Sequence, residues 1–347
     1  MFEAIIVACL VADPQVCRDQ LVPGFEATDE ASCNAAVEAR QPEIEPTEGL
    51  SFKGDVTCRP LGPSLPMQEV TPGLFAHRGA IAEPDQENRG NVSNLGFIIG
   101  ESSVAVIDTG SARWIGEALW RAIRQQTDLP VSHVILTHMH PDHVLGASAF
   151  LGTGTKVVGH DRLPRALLDR QANYIESFTR LIGEEAMVGT ISPVIDMTIE
   201  TEAVIDLGGR HLQLRAWPLA HTGSDLTVFD EESGTLFAGD LVFHLHTPAL
   251  DGSLPGWRAA LADLKALAPA RIVPGHGGPV LDWPEGMGAL NRYLSVLEAD
   301  TRTAIDAGKR LGEAVGTIAT QERHHWQLFD AYNPRNATVA FTELEWE

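Results

Sequence analysis

The chain has 347 residues, of which 44% are apolar, 21% charged and 6% aromatic. That length suits two domains, or one large domain with an appendage, and no apolar run reaches the roughly 20 residues that a spanning helix needs. Lys and Arg number 25 against 47 Asp and Glu, a formal net charge of −22, so phosphate backbones and anionic membranes are repelled over most of the surface and neither is expected as a partner.

The four cysteines, Cys9, Cys17, Cys33 and Cys58, all lie near the start of the chain. An even count confined to a short acidic segment predicts a small module stapled by two disulfides, with three pairings open. The spacings lack the C-x-x-C pairs of a zinc or thioredoxin-like site. Disulfides predict an oxidising compartment, so the protein is expected to be periplasmic or exported. No signal peptide is recognisable after Met1, because Ala4–Ala12 has no basic residue before it and no cleavage-like site after it. That apolar stretch reads as a buried strand or short helix. Residues 34–72, rich in Pro, Glu and Gly, read as loop and linker. The boundary falls near residue 65, giving an N-terminal module at 1–65, a main domain at 66–283 and a C-terminal helix and tail at 284–347.

In the main domain, Leu95–Ile99 and Val104–Ile107 are strand-like and joined by a turn. Ser111–Thr127 has helical spacing, Val131–Leu136 and Lys156–Gly159 are strands, and Arg162–Gly189 is helical with Tyr174, Phe178 and Leu181 on one side. A second run of strands follows at Ala203–Leu207, His211–Trp217, Leu226–Phe229 and Thr235–Phe237. Then come a helix at Gly256–Leu267, a strand at Arg271–Pro274 and a long helix at Pro284–Gly308. Each half repeats one plan, strands first and strand–helix alternation second. Two sheets with helices outside predict an α/β fold: a four-layer helix–sheet–sheet–helix (αββα) sandwich, with the site where strand-end loops meet.

The segment after Leu136 carries the chemistry. Thr137-His138-Met139-His140-Pro141-Asp142-His143 packs three imidazoles and a carboxylate into one strand-end loop. These are ligands that zinc, manganese and iron accept. Side chains alternate in extended backbone, so His138 and His140 can share one ion, while Asp142 and His143, beyond Pro141, can face a second. Further ligands must come from elsewhere. His221, Asp240 and His276 each stand just after a predicted strand and beside or near a glycine, which suits a tight bend. His77, His133, His160, His211, His324 and His325 have no ligand-like companions and read as structural or surface residues. His244 and His246 alternate after Asp240 and, with Tyr174, are candidates for the substrate pocket.

H-x-H-x-D-H at 138–143, followed by His221, Asp240 and His276, resembles the metallo-β-lactamase superfamily over about residues 66–283. Val106-Ile107-Asp108-Thr109-Gly110 matches that family's strand-end aspartate. The resemblance implies two zinc ions per chain, iron or manganese being alternatives. His138, His140 and His221 would hold the first and Asp142, His143 and His276 the second. Asp240 would bridge both, and Asp108 would orient the ligands. It also implies hydrolysis of the carbonyl of a small ester, thioester, lactone or amide by a hydroxide held between the ions, with Asp142 and Asp240 as catalytic residues. Asp at 240 excludes branches with a cysteine ligand at the second metal and makes the chain more similar to glyoxalase II-like hydrolases than to true β-lactamases. Thr247–Trp257, Val273–Gly277 and Asn333-Pro334-Arg335-Asn336 are similar to the SoxH-like group, which includes quinoprotein relay system zinc metallohydrolases. That similarity implies a bacterial, exported protein. Two alternatives stand beside the hydrolase. One is a persulfide dioxygenase-type enzyme with one iron on His138, His221 and Asp240. The other is a non-catalytic metal-binding accessory protein whose N-terminal module docks a protein partner.

Overall fold

The computed structural model describes residues 1–42 and 44–346. The N-terminal segment forms β1 (Phe2–Leu10), β2 (Cys17–Ala27), α1 (Glu30–Ala39) and β3 (Leu50–Pro60), with antiparallel sheet order β2-β1-β3. The apolar stretch at Ala4–Ala12 thus lies mostly in β1. Ala4 and Ile6 face α1 with Val22, Phe25 and Cys33, while Ile5 and Leu21 turn toward the main body, the alternation a two-faced strand requires. Asp29 caps α1 by accepting the Ser32 N–H. The disulfides are Cys9–Cys17 and Cys33–Cys58. Residues 34–72 are therefore not all loop and linker. α1 extends into them, and β3 runs along the open side of β1. The residues of β3 are mostly exposed and polar, so no apolar alternation marks it as a strand; backbone pairing and the Cys33–Cys58 link hold it.

Two sheets form the main body. The first contains β4 (Gln68–Thr71), β5 (Leu74–His77), β6 (Leu95–Ile99), β7 (Val104–Ile107), β8 (Val131–Ile135), β9 (Lys156–His160) and β10 (Met197–Ile199), ordered in space from β10 back to β4. Its connections carry α2 (Arg113–Arg124), α3 (Pro141–Val144), α4 (Leu163–Ile182) and α5 (Glu184–Met187). The second sheet contains β11 (Glu202–Asp206), β12 (His211–Ala216), β13 (Leu226–Asp230), β14 (Thr235–Phe243), β15 (Arg271–His276) and β16 (Leu281–Asp282), in chain order, with α6 (Leu254–Leu267) between β14 and β15. α7 (Gly288–Asp306), α8 (Leu311–Ala314) and α9 (Phe329–Leu344) follow.

Period-two alternation builds the layers. Val104 and Val106 pack outward with Ile115 and Leu119 of α2, and Ala105 and Ile107 pack inward against Leu212, Leu214, Phe237 and Val273. On the far side, Leu236 and Ala238 meet Trp257 and Leu261 of α6, Leu290 and Tyr293 of α7 and Phe341 of α9. The result is helix, sheet, sheet, helix, the expected αββα sandwich with an N-terminal disulfide-bearing module.

Three boundaries differ from the sequence reading. The helix expected over 162–189 stops at Gly183, whose φ is 92°, and resumes as α5. β14 runs on to Phe243 through a register shift at Gly239, so Asp240 lies inside a strand rather than after one. His276 is likewise the last residue of β15. His244 and His246 lie beyond the end of β14, with Leu245 between them at φ 66°, and do not alternate on a strand.

Buried ion pairs fasten the module to α2. Glu117 accepts from Arg18 at 2.6 Å and from Arg113 at 2.9 Å, and Glu3 pairs with Arg121 at 2.8 Å. Burial pushes the Glu117 carboxyl up, but the Arg18 and Arg113 guanidinium groups outweigh it and hold it below the usual carboxylate range. A depressed folded-state pKa stabilises above the unfolded value and is lost as pH falls through the folded one. Glu117→Gln is expected to cost about 3–5 kcal/mol at neutral pH, since it leaves buried arginines unpaired. It is also expected to flatten the loss of stability below about pH 4. Denaturant unfolding of both proteins across pH checks this; parallel curves contradict it.

Candidate metal centre

β7 ends at Ile107, and Asp108 turns the chain with φ 55°, a conformation short polar side chains tolerate. Its Oδ1 accepts the Thr137 N–H at 2.8 Å. Its Oδ2 accepts the Thr137 hydroxyl and His143 Nδ1, each at 2.8 Å. One buried carboxylate thus ties the end of β7 to the loop after β8.

The hydrogen bonds settle which imidazole nitrogen is free. The Thr137 hydroxyl is spent on Asp108, so His138 Nδ1 donates to Thr137 Oγ1 at 3.0 Å. His143 Nδ1 donates to Asp108, His221 Nδ1 to Asp225 at 3.2 Å, and His276 Nδ1 to the Val92 carbonyl at 3.0 Å. All four leave Nε2 as the atom available to a metal. His140 is reversed: its Nε2 donates to Asp251 Oδ2 at 3.1 Å, which leaves Nδ1.

The seven candidate ligand residues gather into two adjoining groups, His138, His140, His221 and Asp240 in one, Asp142, His143 and His276 in the other. Within each group the donor atoms lie within 4.8 Å of one another. Asp240 stands between them. Its carboxylate is 3.6 Å from His138 Nε2, 3.7 Å from His221 Nε2, 3.3 Å from His143 Nε2 and 3.5 Å from His276 Nε2. Gly275 permits this, because a Cβ there would fall 1.9 Å from Asp240 Oδ1.

The donor set fits divalent cations. His138 Nε2, His221 Nε2 and Asp240 Oδ1 are buried without a hydrogen-bond partner among the described residues, a costly state for protein alone. The electrostatics agree. Burial and the neighbouring His143 push His138 well below the ordinary histidine range. Burial also disfavours charge on His143 and His276. There the Asp240 carboxylate, with Asp108 and Asp142 at His143 and with Asp142 at His276, prevails; it raises His143 well above that range and His276 to about 9. The carboxylates favour positive charge, which bound divalent cations would supply.

The groups open onto a cleft of 570 Å³. His140, Asp142, Asp240 and His276 reach its surface. His246 is in its wall, its Nδ1 donating to the Thr247 carbonyl. His244 instead accepts the Gly278 N–H on Nδ1, and Tyr174 lies beside Arg170, burial raising its hydroxyl to about 12. Among the histidines read as structural, His77 bonds Pro66 O and Asn91, and His160 bonds Trp217 O. Four site residues are not singled out in the sequence, although Asp251 and Arg335 lie in the segments that resemble the SoxH-like group. Asp225 orients His221 and also accepts the Thr222 N–H and hydroxyl; its place four residues after His221 was the available signal. Asp251 orients His140 and is held by Arg170 of α4 at 2.7 Å. Tyr332 and Arg335 of α9 line the cleft. No local spacing signals these last three.

The family model of the metallo-beta-lactamase superfamily matches residues 88–276, and the chain belongs to that superfamily. It is 26% identical to a linear primary-alkylsulfatase of Pseudomonas sp. over 42% of this chain and 27% of that one. It is 25% identical to thioesterase pkgB of Emericella nidulans over 57% of this chain and 49% of the other. With a hydroxyacylglutathione hydrolase of Albidiferax ferrireducens the identity is 31% over 40% of this chain and 49% of that one. The chain thus spans half the length or less of these relatives. A solved metallo-beta-lactamase from Pontibacter korlensis shares the fold, with TM-score 0.54 and 21% identity over 67% of this chain and 99% of that one.

Asp108→Asn is expected to weaken zinc binding by roughly 10- to 100-fold and Asp251→Asn by a smaller factor, read by competition with a chromophoric chelator. Unchanged affinity in Asp108→Asn contradicts the orienting role.

Proposed function

We propose that the protein is a metal-dependent hydrolase that uses two zinc ions to cleave the ester, thioester, lactone or amide carbonyl of a small substrate. The convergence of seven donor residues into two adjoining groups at a cleft carries this reading. Relatives named as a thioesterase and a hydroxyacylglutathione hydrolase support it. His138, His140 and His221 would hold one ion, Asp142, His143 and His276 the other, and Asp240 both. When bound, the ions supply Lewis acidity toward the carbonyl oxygen and lower the pKa of water at the site.

The chain's own residues do the rest. Water adds to the acyl carbon, the bond from that carbon to oxygen, sulfur or nitrogen breaks, and the water's proton ends on the leaving group. Asp142, in the cleft wall, accepts that proton on a carboxylate oxygen and passes it on. Phe178, Leu181 and Leu250 line the same cleft and limit solvent around the reacting carbonyl. No side-chain nucleophile is required: Ser224 is fully buried in a turn with Thr222 and Asp225. The two disulfides support an oxidising compartment, periplasmic or extracellular. With the similarity to the SoxH-like group, they support an exported bacterial hydrolase. No helix among the described residues is long and apolar enough to cross a membrane.

Protein purified without added metal is expected to carry about two zinc ions per chain. Chelator treatment should abolish ester or thioester hydrolysis and zinc should restore it. His138→Ala should lower kcat/KM by roughly a hundredfold or more while the fold survives, as ligand loss does in metal hydrolases. Full activity in that variant, with metal content unchanged, contradicts the proposal.

A further inference from the structure

α9 lies outside the span that the family model matches, yet it forms one side of the cleft. Tyr332 and Arg335 are three residues apart, so they share a helix face, and both line the cleft. The Arg335 guanidinium carbon stands 5.6 Å from the centre of the Tyr332 ring. Arg335 is exposed and has no carboxylate partner among the described residues. The contrast with Arg170 is sharp, because that arginine is spent on Asp251. Asp142, Asp240 and Asp251 face the ligand histidines or Arg170, and Glu83, also at the cleft, makes no ion pair with Arg335.

Another part of the wall is apolar. Phe178 and Leu181 of α4 reach the cleft, and Leu181 is 42% exposed. An exposed leucine beside a phenylalanine offers contact to a hydrocarbon segment. A planar guanidinium with a phenol beside it offers donors to an oxyanion.

Resting on the hydrolase reading above, we propose that the substrates are amphipathic organic anions, with a carboxylate or sulfonate group paired to Arg335 and hydrogen-bonded by Tyr332, and an apolar segment against Phe178 and Leu181. Arg335 and Tyr332 are then specificity residues rather than catalytic ones. The acid group need not change during the reaction.

The test uses the zinc-loaded full chain and two esters of equal acyl length, para-nitrophenyl hexanoate and mono-para-nitrophenyl adipate, which differ by a terminal carboxylate. Wild type is expected to prefer the adipate ester in kcat/KM, and high salt should shrink that preference. Arg335→Gln should lower the ratio of the two kcat/KM values roughly two- to fivefold, the size expected of one exposed charge contact, and Arg335→Lys should restore most of it. A second readout is calorimetric binding of hexanesulfonate, an unreactive anion with an apolar tail. It should bind wild type and bind Arg335→Gln several-fold more weakly. Equal loss on both esters, with unchanged hexanesulfonate affinity, overturns the proposal. Turnover of neither ester by wild type, with Arg335-dependent hexanesulfonate binding, counts against ester hydrolysis alone and supports the anion site.

Discussion

The buried carboxylate of Asp108 is the constraint from which the ligand geometry follows. It is 2% exposed and accepts three hydrogen bonds, two from Thr137 and one from His143. A carboxylate so deeply buried is tolerable only when its lone pairs are met. Satisfying them fixes His143 directly and His138 through the Thr137 hydroxyl. Both imidazoles then present Nε2 to the same space, which the Asp240 carboxylate also enters. Two imidazoles from one loop take their orientation from one acid at the end of the neighbouring strand.

The sandwich supplies the remaining candidate ligands by bringing distant parts of the second sheet to one edge. His221 follows β12, Asp240 lies in β14 and His276 ends β15. Gly275 lets β15 approach Asp240 more closely than any side chain would allow. On the opposite side of the first sheet, α2 is clamped between the sheet and the N-terminal module. Leu21 and Ile5 of the module join the apolar cluster beneath α2, and the Glu117 and Glu3 ion pairs close the contact. Such buried pairs are costly to break rather than strongly stabilising in themselves. They hold the module in a defined seat, and β7, with Asp108 at its end, packs beneath the same helix.

The sequence exposes one part of this arrangement and conceals another, for physical reasons. The αββα layering is readable because strands buried on one or both faces must be apolar at short period, as in Val104–Ile107. Four of the seven candidate ligands are readable because one strand-end loop holds them in a short string, whereas His221, Asp240 and His276 stand singly near glycines, and Asp108 is readable only through the resemblance of Val106–Gly110 to the superfamily. β3 is hidden because an exposed edge strand carries no apolar alternation. The interior position of Asp240 is hidden because Gly239 resembles a strand terminator, whereas here it marks a shift in register. Asp251 is 111 residues from His140, and Tyr332 and Arg335 are still more remote from the ligand loop. Their roles arise only when α4, the loop after β14 and α9 fold around the cleft. Contacts made by folding across that distance leave no spacing to count.

α4 and α9 give this chain its own cleft. Through Asp251, Arg170 of α4 bears on His140, so the helix that presents Phe178 and Leu181 is tied to a ligand of the first group. α9 contributes from beyond the span shared with the superfamily. The centre and the α4 wall thus lie within that span, and the α9 wall beyond it. The centre is tested most directly by X-ray absorption at the zinc edge on the metal-loaded protein. The account predicts a shell of nitrogen and oxygen only, imidazole scattering, and a second zinc at short range. A sulfur neighbour, or a single zinc without imidazole scattering, would contradict it.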